Sequence, residues 1–229
     1  MTKMNRLGYL GLAGALALAC WLGAAAVAAD EELEELKLEL PKPMFKGTPE
    51  NIESANLEPP RQGPPPAVLV PKGTINLSRD KEVSASDEEP IVGELAFITD
   101  GDKEGNDGSF VELGPGQQWV QIDLGAPARI HAIALWHFHS QARVYRDVVI
   151  QTADDPDFIE NVVTIFNNDH DNSAGIGVGK DKEYVETFEG RLIPVEGVEG
   201  RYVRLYSNGN TSNDLNHYVE VEVYGKPVE

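Results

Sequence analysis

One cysteine, Cys20, serves all 229 residues, so the chain cannot close an intramolecular disulfide, and stability must come from a packed core or from a bound ion. Basic residues are also scarce: 19 Lys and Arg stand against 38 Asp and Glu, a formal net charge of -19. That balance argues against nucleic acid or an anionic membrane as a partner, since both are recognised through basic patches. It suits a soluble protein with cation-binding loops, and equally a chain that uses charge only to stay soluble. Gly-x-Ser-x-Gly, His-Glu-x-x-His and a phosphate-cradling loop are all missing, which leaves catalysis little footing. Carboxylate pairs are frequent, but a chain this acidic produces them by chance. No long helical period follows residue 73 and no internal repeat is visible.

What is present begins with an export signature. Lys3 and Arg6 precede an apolar run from Leu7 to Ala29, and Ala26-Val27-Ala28 is a small-x-small cleavage site with Asp30 just beyond. The expectation is a cleaved signal over 1–29. A retained membrane anchor is the alternative, because the run is long enough to span a bilayer. Lipid attachment at Cys20, after Leu18-Ala19, is a third. Cleavage would remove the only cysteine together with Lys3 and Arg6, moving the net charge from -19 to -21.

Residues 30–72 form the next segment. Leu33, Leu36 and Leu40 space a short helical face in an acidic run that Pro41 and Pro43 stop. From Pro41 to Pro71 prolines are dense, which predicts an extended arm. Contact with the domain is expected through Phe45, Ile52 or the Ala67–Val70 run. The domain itself is expected over 73–229, long enough for one substantial core. Strand signals recur in it: Trp119 to Gly125, Ala132 to Phe138, Tyr145 to Thr152, Val162 to Phe166 and Lys182 to Thr187. The class is therefore all-β, an antiparallel sandwich or jelly roll.

Two runs near the C-terminus alternate most cleanly. In Arg201–Tyr206, Val203 and Leu205 point one way while Tyr202, Arg204 and Tyr206 point the other. In Asn216–Gly225, Val219, Val221 and Val223 share a face opposite Glu220 and Glu222. Upstream lie Asn76-Leu77-Ser78 with Lys81–Ser86, the acidic turn Ile98–Asp102, Trp119–Gly125 ending Asp-Leu-Gly, and Val148–Gln151 leading into Ala153–Phe158. Six pieces in this order resemble the discoidin, or coagulation factor type C, family of galactose-binding-like β-sandwiches. The resemblance covers residues 76 to 225. It departs at 167–182, which reads as an insertion, and at the tryptophan after the acidic turn, whose place Phe110 takes.

The resemblance implies binding rather than catalysis, with a glycan or another extracellular ligand; the alternative is a structural or protein-interaction module that docks to a larger extracellular or periplasmic protein through the acidic surface or the proline-rich arm. The resemblance also implies a structural calcium. By position, Asp100 would give a carboxylate, Phe97 and Asp102 backbone carbonyls, and Ser109 a hydroxyl or carbonyl. Glu220 and the Val219 carbonyl would close the site. Such oxygen donors suit calcium, although Asp-Gly-Asp is equally a tight turn without a metal. A second acidic cluster, Asn167–Ser173, contains Asp-x-Asp-x-Ser but lacks the glycine spacing and terminal glutamate of an EF-hand. A solvated turn explains it as well.

For the ligand, lectins of this type use loops at one end of the sandwich. Trp136, His137, His139 and Arg143 fit that role, with Asn208, Asn210 and Asn216 on a neighbouring loop. A structural part for Trp136 and the histidines remains open. His137 and His139, two apart on a strand, also allow zinc if His170 or His217 converges on them.

Overall fold

The computed structural model describes residues 31–43, 52, 54–106 and 108–228. The expected signal segment, Cys20 and Phe45 lie outside the described residues. From Glu31 onward the chain forms one compact unit, and no helix among the described residues is long and apolar enough to cross a membrane. Eleven strands build it: β1 (Leu33–Glu35), β2 (Leu69–Pro71), β3 (Ile75–Asn76), β4 (Val83–Ala85), β5 (Val111–Leu113), β6 (Gln118–Trp136), β7 (Val149–Ala153), β8 (Val163–Asn167), β9 (Arg191–Ser207), β10 (Asn216–Tyr218) and β11 (Glu220–Pro227). A 3₁₀ turn covers Leu95–Thr99.

All the strand pairings are antiparallel. The main sheet runs β3-β11-β6-β9-β7-β8, with β4 also on β6. β5 and β10 pair separately. Two long strands, β6 and β9, hold the sandwich together. The first half of β6 pairs with β4 and the end of β9; its second half pairs with β11 and the start of β9. Between them the register shifts from Asp123 to Ala128. Gly125, at φ +85°, sits in this exposed corner, where a side-chain-bearing residue would be strained. The corner lets both halves face one core. Val120, Ile122 and Leu124 point inward before it; Ile130, Ile133 and Leu135 after it. A second shift between Ile130 and Ala132 changes the inward set from even to odd positions.

Val203 and Leu205 of β9, and Val221 and Val223 of β11, enter the same core, as their alternation requires. Val219 does not join them. Its N–H donates to the Trp136 carbonyl at 2.8 Å, and its side chain packs in a smaller cluster with Phe110, Ala134 and Trp136. The break between β10 and β11 falls at this residue.

The arm differs from the sequence reading. Leu33–Glu35 is extended rather than helical, and pairs with Leu69–Pro71. Three leucines cannot hold a helix that prolines truncate, whereas pairing satisfies the backbone at once. Val70 is buried, and Leu38 packs against the Trp136 cluster. Farther along, Glu58 receives both nitrogen–oxygen contacts from Arg191 Nη1, at 3.0 and 2.9 Å, and Arg61 pairs with Glu189. Lys182–Thr187 is not a strand; only Glu183 bridges, to Leu57. The strand over 191–200 escaped the sequence reading because Pro194, Gly197 and Gly200 interrupt its pattern. At the far end of the unit, Lys226 pairs with Glu31, and the Val228 N–H donates to the Pro127 carbonyl at 3.2 Å.

Candidate functional site

The acidic turn and the closing strand meet. Gly101 N–H donates to Glu220 Oε2 at 2.9 Å, joining segments 119 residues apart. Asp100 Oδ1 accepts the Asp102 N–H at 2.8 Å, and Ser109 Oγ donates to Asp102 Oδ2 at 2.7 Å. Glu220 is completely buried, and its other oxygen, Oε1, has no partner. Burial drives its carboxyl up to about 9, with Glu222 and Asp100 adding repulsion. An unpartnered buried carboxylate oxygen beside a second carboxylate is what a calcium ion would satisfy, so the residues present fit one. Glu222 is differently served: Lys103 Nζ lies 2.6 Å from Oε1 in a buried pair, and the Tyr224 hydroxyl donates to Oε2 at 2.7 Å.

In the Trp136–Arg143 segment the four side chains expected to meet a ligand, Trp136, His137, His139 and Arg143, are buried. Trp136 is fully buried, and its Nε1 donates to the Phe188 carbonyl at 3.0 Å. It cannot serve as an exposed sugar platform. The register of β6 turns it into the smaller cluster, and Gly190, at φ +65°, leaves room for it: a Cβ there would lie 2.5 Å from the indole. His137 and His139 are fully buried too. His137 Nδ1 contacts Glu186 Oε1 at 2.6 Å, and its ring stacks on Tyr145 at 4.2 Å. His139 Nε2 contacts the Lys103 carbonyl at 2.8 Å. β6 ends at Trp136, so strand alternation no longer relates the two histidines. No three-ligand cluster containing them exists among the described residues, which corrects the zinc reading. Arg143 is 5% exposed, with its guanidinium over the Phe138 ring at 4.6 Å.

His217 joins this buried network. Its Nδ1 lies 2.9 Å from the Tyr145 hydroxyl and its Nε2 3.0 Å from Glu112 Oε2. Burial, with the positive Arg143 nearby, holds its pKa down to about 3. The ring is therefore neutral, with Nε2–H donating to Glu112 and Nδ1 accepting from Tyr145.

The asparagines split. Asn216 is fully buried. Its amide donates to the Gly114 and Gly116 carbonyls at 2.8 and 2.9 Å, while its Oδ1 accepts from Ser207 Oγ and Gly209 N. Asn210 is 1% exposed and holds its own loop through Asn213 and Leu215. Both therefore act as loop ties rather than as ligand contacts. Asn208 alone reaches a surface recess, donating to Asp147 Oδ2 at 2.8 Å.

That recess is a cleft of about 590 Å³. The loops before β6 and β7, after β8 and after β9 build it, bringing together Gly116, Arg146, Asp147, Asn168, His170, Asp171, Ser173, Glu183, Asn208 and Asp214. Among the described residues its lining is mostly polar and holds no Phe, Tyr or Trp. Three groups in it have buried atoms without partners: Asn168 Nδ2, His170 Nε2 and Glu183 Oε2. Burial also raises the Glu183 carboxyl above its ordinary value. Sequence reasoning missed Arg146 and Glu183, which sit inside the strands expected over Tyr145–Thr152 and Lys182–Thr187. The one available signal was the Asn167–Ser173 cluster.

No family model matches the chain, and no curated protein matches its sequence. Solved structures do. A family 89 glycoside hydrolase from Clostridium perfringens, in complex with 2-acetamido-1,2-dideoxynojirmycin, superposes with TM-score 0.50 at 19% identity. That match covers 67% of this chain and 15% of the hydrolase. Chitosan-binding module 1 of a chitosanase/glucanase from Paenibacillus sp. IK-5 gives TM-score 0.48 at 20% identity, over 66% of this chain and 98% of the module. A fucolectin from striped bass (Morone saxatilis) serum gives 0.46 at 20%, over 68% and 50%. At these identities the likeness speaks for architecture alone: the chain has the discoidin-like, galactose-binding-like β-sandwich fold.

Proposed function

We propose that the protein is an exported, non-catalytic glycan-binding module whose ligand sits in the Arg146–Asp147–Asn208 cleft. The observation that carries this is the cleft's set of unpartnered buried polar atoms, Asn168 Nδ2, His170 Nε2 and Glu183 Oε2, in a recess open to solvent. Buried donors and acceptors without partners are costly unless something fills them. Sugar hydroxyls, each both donor and acceptor, match such a mixture. Without a Phe, Tyr or Trp among the described lining residues, recognition would rest on hydrogen bonds rather than on stacking on a large aromatic face. Solved proteins of this fold include a chitosan-binding module and a fucolectin, in keeping with the reading.

A glycan-binding screen tests it, with Arg146→Ala as the diagnostic variant. Affinity should fall about tenfold, the equivalent of ~1.4 kcal/mol. Binding that ignores Arg146 but collapses with salt would overturn the sugar reading and favour an electrostatic protein partner.

The second element of the proposal is a structural calcium on Asp100 and Glu220, with the Phe97, Asp102 and Val219 carbonyls and Ser109 as further donors. An ion bound only by the folded state raises the melting temperature. Asp100→Ala should reduce the calcium-dependent gain. A gain equal to that of the wild type would remove the ion from this turn.

A further inference from the structure

Carboxylate oxygens of Asp147, Asp169 and Asp171 lie within 4.8 Å of one another, and Asp147 and Asp171 line the cleft. Like charges this close repel, yet among the described residues none of the three has a Lys, Arg or His partner within ion-pair distance. Asp169 cannot swing away. It is completely buried, with Oδ1 accepting the Ser173 N–H at 3.1 Å and Oδ2 the Ala174 N–H at 2.9 Å. Asp147 Oδ2 is fixed by the Ser173 hydroxyl and the Asn208 amide, both at 2.8 Å. Asp171 is exposed, and its Oδ1 accepts the Ser173 N–H at 3.0 Å.

An independent observation adds a ligand. Asn168, 1% exposed, lines the same cleft. Its Oδ1 accepts the Val148 N–H at 2.7 Å, which fixes the amide orientation and leaves Nδ2 a donor without an acceptor. A cation on the three carboxylates would hold a ligand oxygen on its open side, and Asn168 would donate to that oxygen. We infer that the cleft carries a calcium ion on Asp147, Asp169 and Asp171, and that sugar oxygens complete its coordination. All three donors are hard oxygens with no His or Cys among them, which favours calcium over zinc. The sugar half of this inference rests on the glycan reading above; the ion half does not.

Calcium alone, titrated calorimetrically into chelator-treated protein, tests the ion. Wild type should bind one ion more than Asp171→Asn, and Asp147→Asn should lose the same ion. Glu220→Gln should retain it, which separates this site from the acidic turn. Asp171 is exposed, so its variant should melt with the calcium-free wild type, which excludes misfolding as the cause. Equal calcium content in wild type and both aspartate variants would overturn the site. On a glycan array, chelation should weaken binding tenfold or more. Undiminished binding in chelator would overturn the bridging role and leave the sugar reading intact. Loss of the ion in Asp171→Asn with no glycan bound by either protein would sink the sugar reading and leave the ion in place.

Discussion

The His137–Arg143 segment and the Arg146–Asp147 corner are near neighbours in sequence and comparably polar, yet they do opposite things. In the first, both imidazoles and the guanidinium are buried and the Phe138 ring is half-buried. His137 finds Glu186, His217 finds Tyr145 and Glu112, and Arg143 lies over Phe138. In the second, Arg146, Asn168 and Glu183 face a cleft, and their neighbourhood leaves several polar atoms unused. The first group braces the sandwich end; the second is free to recognise something. Residue type does not separate the two. What separates them is access to solvent: unpartnered buried atoms occur in both regions, but only those of the second lie in the lining of an open recess.

Substitutions should part the two regions cleanly. Trp136→Ala should have the largest effect, costing about 3–5 kcal/mol of stability by emptying a fully buried site. Urea denaturation measures this. A small loss, accompanied by weakened glycan binding, would restore Trp136 as a ligand platform. Next is Glu186→Ala, which strips His137 of its acceptor in a dry environment and should cost about 1–3 kcal/mol. Affinity of the folded protein should be unchanged. Arg146→Ala is expected to reverse that pattern, with the melt preserved and binding weakened about tenfold.

The last effect concerns pH. His217 titrates near 3 in the fold, against its ordinary value of about 6.5 in an unfolded chain. Between these values the unfolded chain takes up a proton that the folded chain refuses, so stability falls as pH drops through that window. Above 6.5 the residue contributes no slope. Denaturation at several pH values, compared with His217→Gln, isolates the term. An identical slope in the variant would show that His217 does not titrate this way.

How far the sequence revealed this depended on periodicity. Val120 with Ile122, and Val203 with Leu205, read as strands because one face of each is in the core. The 191–200 stretch was hidden, since a proline and two glycines at register shifts erase a period of two. At the site, periodicity carried less still. Trp136 and the histidines looked like binding groups because their residue types suit sugars, but burial depends on strands far away in the chain. Asn216 looked like Asn208, yet one ties β10 to the Gly114–Gly116 turn and the other opens onto the cleft. Glu220 and Asp100 were brought together by family resemblance, not by any local pattern. The extended pairing of Leu33–Glu35 was invisible because its partner lies beyond a run of prolines.

The pairing of Glu31 with Lys226, beside the contact of Val228 with Pro127, makes the described chain nearly a closed ring. A short linker between its two ends would bridge little distance and displace no core residue, the geometry in which circular permutation succeeds. New ends could then open at the β7–β8 loop, where Ile159 is 78% exposed. In such a permutant β6 and β9 stay uninterrupted, and Asp147, Asp171 and Asn208 keep their places around the cleft. The order in which the segments are joined would change while the recess they form would not.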